Sequence, residues 1–128
     1  MKEVIRTETA PAPFQGAPYS QAMKANGFVF VSGQLALKPD HAEIIGDNIT
    51  DQTEQVLTNL AAILEAAGTG LDRLVKTTVF LQHLDDFQAM NEVYAKHVGE
   101  QPPARATVEV AKLPSGALVE IEAIATLS

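Results

Sequence analysis

The sequence predicts an α+β domain, a mixed β-sheet carrying two helices on one of its faces. Three observations lead there. Segments rich in β-branched and aromatic residues recur at Phe28–Ser32, Leu74–Leu81, Ala104–Ala111 and Ala117–Thr126, as strands require. Two longer segments instead repeat apolar residues at the helical period. The elements read β, β(β), α, β, α, β, β, which suits one sheet with helices segregated to one side.

An extended piece, Glu3 to Thr7, leads into Ala10-Pro11-Ala12-Pro13, where two prolines exclude regular structure, and a loop continues through Gly16 to Gln21. Gly27 opens the strand Phe28–Ser32. The turn residues Lys38-Pro39-Asp40 and Gly46-Asp47-Asn48 bracket a short hairpin expected over His41 to Ile45. Thr50 is the expected N-cap of the first helix, with Asp51 and Glu54 in its first turn. Val56, Leu60, Ile63, Leu64 and Ala67 form its apolar stripe, and Gly68 stops it. The second helix is expected over Leu84 to Val98, with Phe87, Met90, Tyr94 and Val98 facing the core and Gly99 as its stop. Leu113-Pro114-Ser115-Gly116 supplies the turn between the last two strands.

The chain has 128 residues, 9 Lys plus Arg against 16 Asp plus Glu, a net charge of −7, and no cysteine. This length suits a single domain over residues 1–128. The acidic balance opposes an electrostatic hold on nucleic acid or on an anionic membrane. Absence of cysteine removes disulfides and thiolate chemistry. With no signal-like start and no apolar run of spanning length, the expected location is cytoplasmic. His41, His83 and His97 have neither metal-ligand spacing nor a nucleophilic partner, so no metal site is expected and a solvated role is read for all three.

Strand alternation sorts the residues by face. It sets Ala104, Ala106, Val108 and Val110 opposite Arg105, Thr107 and Glu109, and Val119, Ile121, Ala123 and Ala125 opposite Leu118, Glu120, Glu122 and Ile124. The expectation is that the helices cover the apolar sets. The other face then gathers Arg105, Thr107, Glu109, Glu120, Glu122, Ser32 and Gln34 among Phe28, Phe30, Leu118 and Ile124. A face both apolar and charged is read as a packing surface against another subunit with polar groups at a cleft. Cross-strand Arg–Glu pairs on a solvated face are the plainer alternative.

Four segments narrow the reading: Ala17-Pro18-Tyr19-Ser20-Gln21-Ala22, Val31-Ser32-Gly33-Gln34, Pro103-Ala104-Arg105-Ala106-Thr107-Val108-Glu109-Val110 and Val119-Glu120-Ile121-Glu122-Ala123. Between them lie Leu64-Glu65-Ala66-Ala67-Gly68, Val75 to Leu81, and Asp86-Phe87 with Met90-Asn91 and Tyr94. In this order they resemble the RidA (YjgF/YER057c/UK114) family over essentially the whole chain. The resemblance implies a chorismate-mutase-like fold, a homotrimer with clefts between subunits, and hydrolysis of reactive 2-imino or enamine acids such as 2-iminobutanoate and 2-iminopropanoate to 2-oxo acids and ammonia. It implies no cofactor, and a functional link to pyridoxal-phosphate dehydratases, from which such imines leak.

The residue chemistry agrees with that implication. A guanidinium matches a carboxylate bidentately and keeps its charge, so Arg105 is the expected substrate anchor. Glu120 is expected to orient a water and accept its proton. Tyr19, Ser32, Gly33, Phe87, Asn91 and Thr107 map onto pocket positions of the family. From the residues alone, Tyr19 reads equally as a loop anchor and Phe87 as helix core; Asn91 reads as an exposed helix residue and Ser32 as a satisfied strand hydroxyl. Glu109 and Glu122 read as structural or interface charges. Two positions depart from the family pattern: Thr107 stands where many members carry Cys, and Ala17 where Gly is usual. The competing functions are a non-catalytic trimer that binds small carboxylates or proteins, and a ribonuclease or translation inhibitor.

Overall fold

The computed structural model describes residues 1–128. Its strands are β1 (Glu3–Ile5), β2 (Ala22–Ala25), β3 (Phe28–Gln34), β4 (Leu74–Leu81), β5 (Ala104–Glu109) and β6 (Val119–Thr126). The helices are α1 (Ile49–Ala67) and α2 (Phe87–Val98). The six strands form one sheet in the order β1-β2-β3-β6-β4-β5. Only β4 and β5 run parallel, because α2 carries the chain back over the sheet between them.

The α+β architecture agrees with the sequence reading, but two local expectations do not. No strand forms over His41–Ile45; that segment is irregular, joined to its surroundings by the Ile45 N–H bond to the Ala36 carbonyl (2.8 Å). The second strand is instead Ala22–Ala25, paired antiparallel with β3. Asn26 and Gly27 make the connection at φ 51° and 83°. An Asn-Gly pair with both φ positive matches the twist of a two-residue hairpin. Thr50 does not cap α1. Asn48 does, its side chain accepting from the Asp51 N–H at 2.8 Å. At the other end Gly68 takes the left-handed φ of 92°, and the Thr69 N–H reaches back to the Leu64 carbonyl (2.9 Å), as expected for a glycine stop.

Both helices lie on one face of the sheet. Val56, Leu57, Leu60, Ile63 and Leu64 of α1 and Met90, Val93 and Val98 of α2 join Val29, Val31, Val79, Leu81, Val119 and Ile121 in one buried cluster. Asn59 sits buried within α1 because its Nδ2 donates to the Leu35 and Leu37 carbonyls (3.1 and 2.8 Å), which secures the segment after β3. The opposite face stays open, leaving Phe28, Phe30 and Val108 40%, 44% and 43% exposed.

Two features of the sheet decide where the functional side chains go. Val31 pairs with Ala123 and Gln34 with Ile121, so β3 holds one residue more than β6 between those pairs. This bulge at Ser32-Gly33 breaks the alternation. Gln34 is thereby buried on the helix side, whereas simple alternation had put it on the polar face. The second feature is the register of β5. Its Arg105, Thr107 and Glu109 lie beside Thr77, Val79 and Leu81 of β4, which face the helices. Its Ala104, Ala106 and Val108 therefore share the open face with Thr78 and Phe80, the reverse of the expected placement.

Candidate functional site

The predicted residues gather in two groups, and the sheet separates them. Glu120 pairs with Phe80 on β4 and points to the open face. Arg105 pairs with Thr77 and points to the helix face. The two residues expected to act together are not neighbours on one face of the chain.

The Glu120 group lines a cavity of about 410 Å³ bounded by Phe14, Tyr19, Ser32, Gly33, Leu37, Pro114, Glu120 and Glu122, among others. Gly33 leaves room for the pose of Glu120 and is not set by φ: a Cβ at this position overlaps the Glu120 carboxylate. The Ser32 hydroxyl donates to the Ser20 carbonyl (2.6 Å). Tyr19 is 41% exposed, and its hydroxyl accepts the Phe14 N–H. It is thus a loop anchor and a cavity wall at once. Ala17, at the position where the family pattern has Gly, sits at φ −63° and ψ 155°, a conformation open to any residue, so this departure imposes no strain.

Burial pushes the Glu120 carboxyl above its ordinary value of 4.5, and the Glu122 carboxylate two residues along the same face pushes it further. The folded chain therefore holds this proton more tightly than the unfolded chain does. The associated stability is fully present below the ordinary value and is lost as pH rises through the raised one. In the unassociated chain, where no cation faces Glu120, Glu120→Gln is accordingly expected to melt higher than the parent at pH 7 and level with it in acid. Thermal melts at the two pH values check this, and a variant no more stable at pH 7 would refute it.

Gln21, which sequence reasoning read only as part of a motif, organises the arm beside this cavity. It is buried, and its Nε2 donates to the carbonyls of Thr7 (3.1 Å), Ala10 (3.2 Å) and Pro11 (2.7 Å). Its Oε1 accepts the Thr7 N–H at 2.8 Å. The two prolines of that arm leave it without regular partners, and one amide side chain replaces them. Gln21→Ala leaves the Ala10 and Pro11 carbonyls without this donor, at an expected cost of ~2–3 kcal/mol in urea unfolding. A loss within error of zero would contradict this role.

The second group is built on β5 and α2. The Arg105 guanidinium carbon lies 4.8 Å from the centre of the Tyr94 ring and 5.5 Å from that of Phe87. Phe87 is 38% exposed, so it is a platform and not the core residue expected. It follows a single 3-10 turn, Leu84–Asp86, that precedes α2 and shortens the expected helix at its start. Glu109 accepts the Leu84 N–H (2.7 Å) and so has the structural role read for it. Asn91, one helical turn from both Phe87 and Tyr94, has a buried Oδ1 without a hydrogen-bond partner. The Thr107 Oγ1 is likewise buried and unpartnered. His97 is hydrogen-bonded to Glu54 (2.6 Å) instead of merely solvated, and no Lys or Arg lies within 4 Å of a carboxylate, so Arg105 has no acidic partner of its own.

These features define a class of small α+β proteins that present a cation with free donors on one sheet face and a half-buried carboxyl on the other. The chain belongs to the family whose model is described as Endoribonuclease L-PSP, which matches residues 7–127 and includes the RidA, RutC and UK114 proteins. It is 55% identical to a RutC family protein of Pyrococcus horikoshii over 98% of both chains. It is 51% identical to the chloroplastic Reactive Intermediate Deaminase A of Arabidopsis thaliana, over 98% of this chain and 66% of that one. Among solved structures, RidA from the Antarctic bacterium Psychrobacter superposes with a TM-score of 0.91 at 44% identity, over 97% and 98% of the two chains. TdcF of E. coli, solved with bound serine, superposes with a TM-score of 0.89 at 38% identity, over 98% and 99%. No helix is long and apolar enough to cross a membrane.

Proposed function

We propose that this protein hydrolyses 2-imino acids, or their enamine tautomers, to 2-oxo acids and ammonia in clefts between copies of the chain. The observation that carries the proposal is the Arg105 guanidinium, half-buried over two rings and without an acidic partner in its own chain. A substrate carboxylate is the complementary group, because it accepts two parallel N–H bonds from the planar fork. The deaminase name of the Arabidopsis relative and the serine bound to TdcF support the same substrate chemistry.

With the imine anchored by Arg105, a water held by Glu120 attacks C2. The C=N π pair moves to nitrogen, and Glu120 takes the proton released by the water. Glu120 hands that proton to the nitrogen, giving a carbinolamine; the O–H proton of this adduct then passes through Glu120 to the amine as the oxygen lone pair forms C=O and the C–N bond breaks, so ammonia leaves with the 2-oxo acid behind. Fixing water beside the electrophile supplies most of the rate, so no strong nucleophile is required. Since the two residues lie on opposite faces, Arg105 of one copy meets Glu120 of another. The exposed Phe28, Phe30 and Val108 supply the apolar packing surface, and a trimer is the arrangement that the family resemblance implies.

The test couples the protein to a pyridoxal-phosphate threonine dehydratase and follows 2-oxobutanoate and ammonia. Faster release on adding the protein supports imine hydrolysis; an unchanged rate, with tight 2-oxo acid binding by calorimetry, favours the non-catalytic carboxylate binder. The ribonuclease reading is opposed by the net charge of −7 and by a complement of only three arginines, Arg6, Arg73 and Arg105.

A further inference from the structure

Arg105 is a long, flexible cation, and holding it in one pose costs side-chain entropy. Proteins often hold such a group with an acidic neighbour, which also consumes its donors. This chain does otherwise. Thr77 is the residue directly across from Arg105 in the parallel β4–β5 pair, so the two side chains project side by side. The Thr77 Oγ1 and the Tyr94 hydroxyl lie 2.6 Å apart, both residues being buried, at 1% and 5% exposure. That bond fastens the tip of the Tyr94 ring to β4 beside Arg105, and the ring centre lies 4.8 Å from the guanidinium carbon.

We infer that Tyr94, secured by Thr77, is the positioning residue that presents Arg105 to its ligand. An aromatic face attracts a cation through the ring quadrupole while leaving the in-plane N–H groups of the guanidinium free. The mount thus orients the charge without neutralising it. Phe87 completes the platform from the more exposed side. Helix α2 is tied to β4 at the height of Arg105, so the position of the cation follows from strand register and helix packing together. The inference rests on the reading of Arg105 as a carboxylate anchor, and it makes Tyr94 more than the core residue its helical spacing suggests.

The test uses the full-length protein with Tyr94→Leu, Tyr94→Phe and Thr77→Val. In the ligand-free state the ring is expected to shift the Arg105 Nε–H resonance, and that shift should vanish in Tyr94→Leu and persist in Tyr94→Phe. In the imine assay, Tyr94→Leu should raise KM about tenfold with a smaller change in kcat, and Tyr94→Phe and Thr77→Val, which both keep the ring but lose its bond to β4, should both fall between Tyr94→Leu and the parent. In an Arg105→Ala background, Tyr94→Leu should add no further loss of affinity for a 2-oxo acid. An Arg105 resonance unmoved by Tyr94→Leu overturns the inference whatever the turnover, as does a loss of affinity that persists without Arg105. Absence of turnover in the parent protein overturns the catalytic reading alone, since the resonance still reports the mount.

Discussion

Arg105→Ala is expected to lower kcat/KM for 2-iminobutanoate by ~10²–10³-fold while leaving the melting temperature within a few degrees of the parent. Two charge-assisted hydrogen bonds to a carboxylate, lost together, amount to about 3–4 kcal/mol. Stability should change little because the guanidinium has no ion pair in its chain and contributes chiefly its contacts with Tyr94 and Phe87. Arg105→Lys should recover only part of the loss, since an ammonium lacks the planar fork. Steady-state kinetics alongside thermal melts check both halves. Activity near that of the parent in Arg105→Ala refutes the anchor role.

Gly33→Ala is expected to abolish most activity at little cost in stability. The added Cβ overlaps the Glu120 carboxylate, the far end of a flexible side chain that can swing aside. Backbone strain does not enter, because Gly33 is not among the residues with positive φ. What is lost is the pose of the proposed water-orienting group. The fall in kcat should therefore match that of Glu120→Gln, of order 10²-fold, the usual scale for one positioned acid–base group. In the double variant the two effects should not add. A Gly33→Ala protein with parental kcat would show that the carboxylate need not sit against Gly33.

Simple strand alternation holds at some elements of this chain and fails at others. The stripe of α1, that of α2 except at Phe87, the αL stop at Gly68, and the core faces of β3 and β6 are legible, because those segments bury one continuous apolar face. The Ala22–Ala25 strand was not read from its four residues, although Asn26-Gly27 is a hairpin signal that would have found it. Gln34 was misplaced because a bulge leaves no mark in an alternation count. Gln21 and Asn59 carry no signal in sequence, because a buried amide is recognisable only when the carbonyls it serves are known.

Arg105 and Glu120 show where the division falls. Local sequence determined their chemistry, their strands and the ordered motifs that mark the family. It also determined that each strand has one polar and one apolar side. Which side of β5 faces the helices was decided by tertiary structure alone, through its parallel register against β4 and the path of α2 between them. An edge strand is held on one side only and lies at the margin of the helical layer, so its apolar residues need not face the core that the other strands share. That single choice of face set the cation and the carboxyl on opposite sides of the sheet.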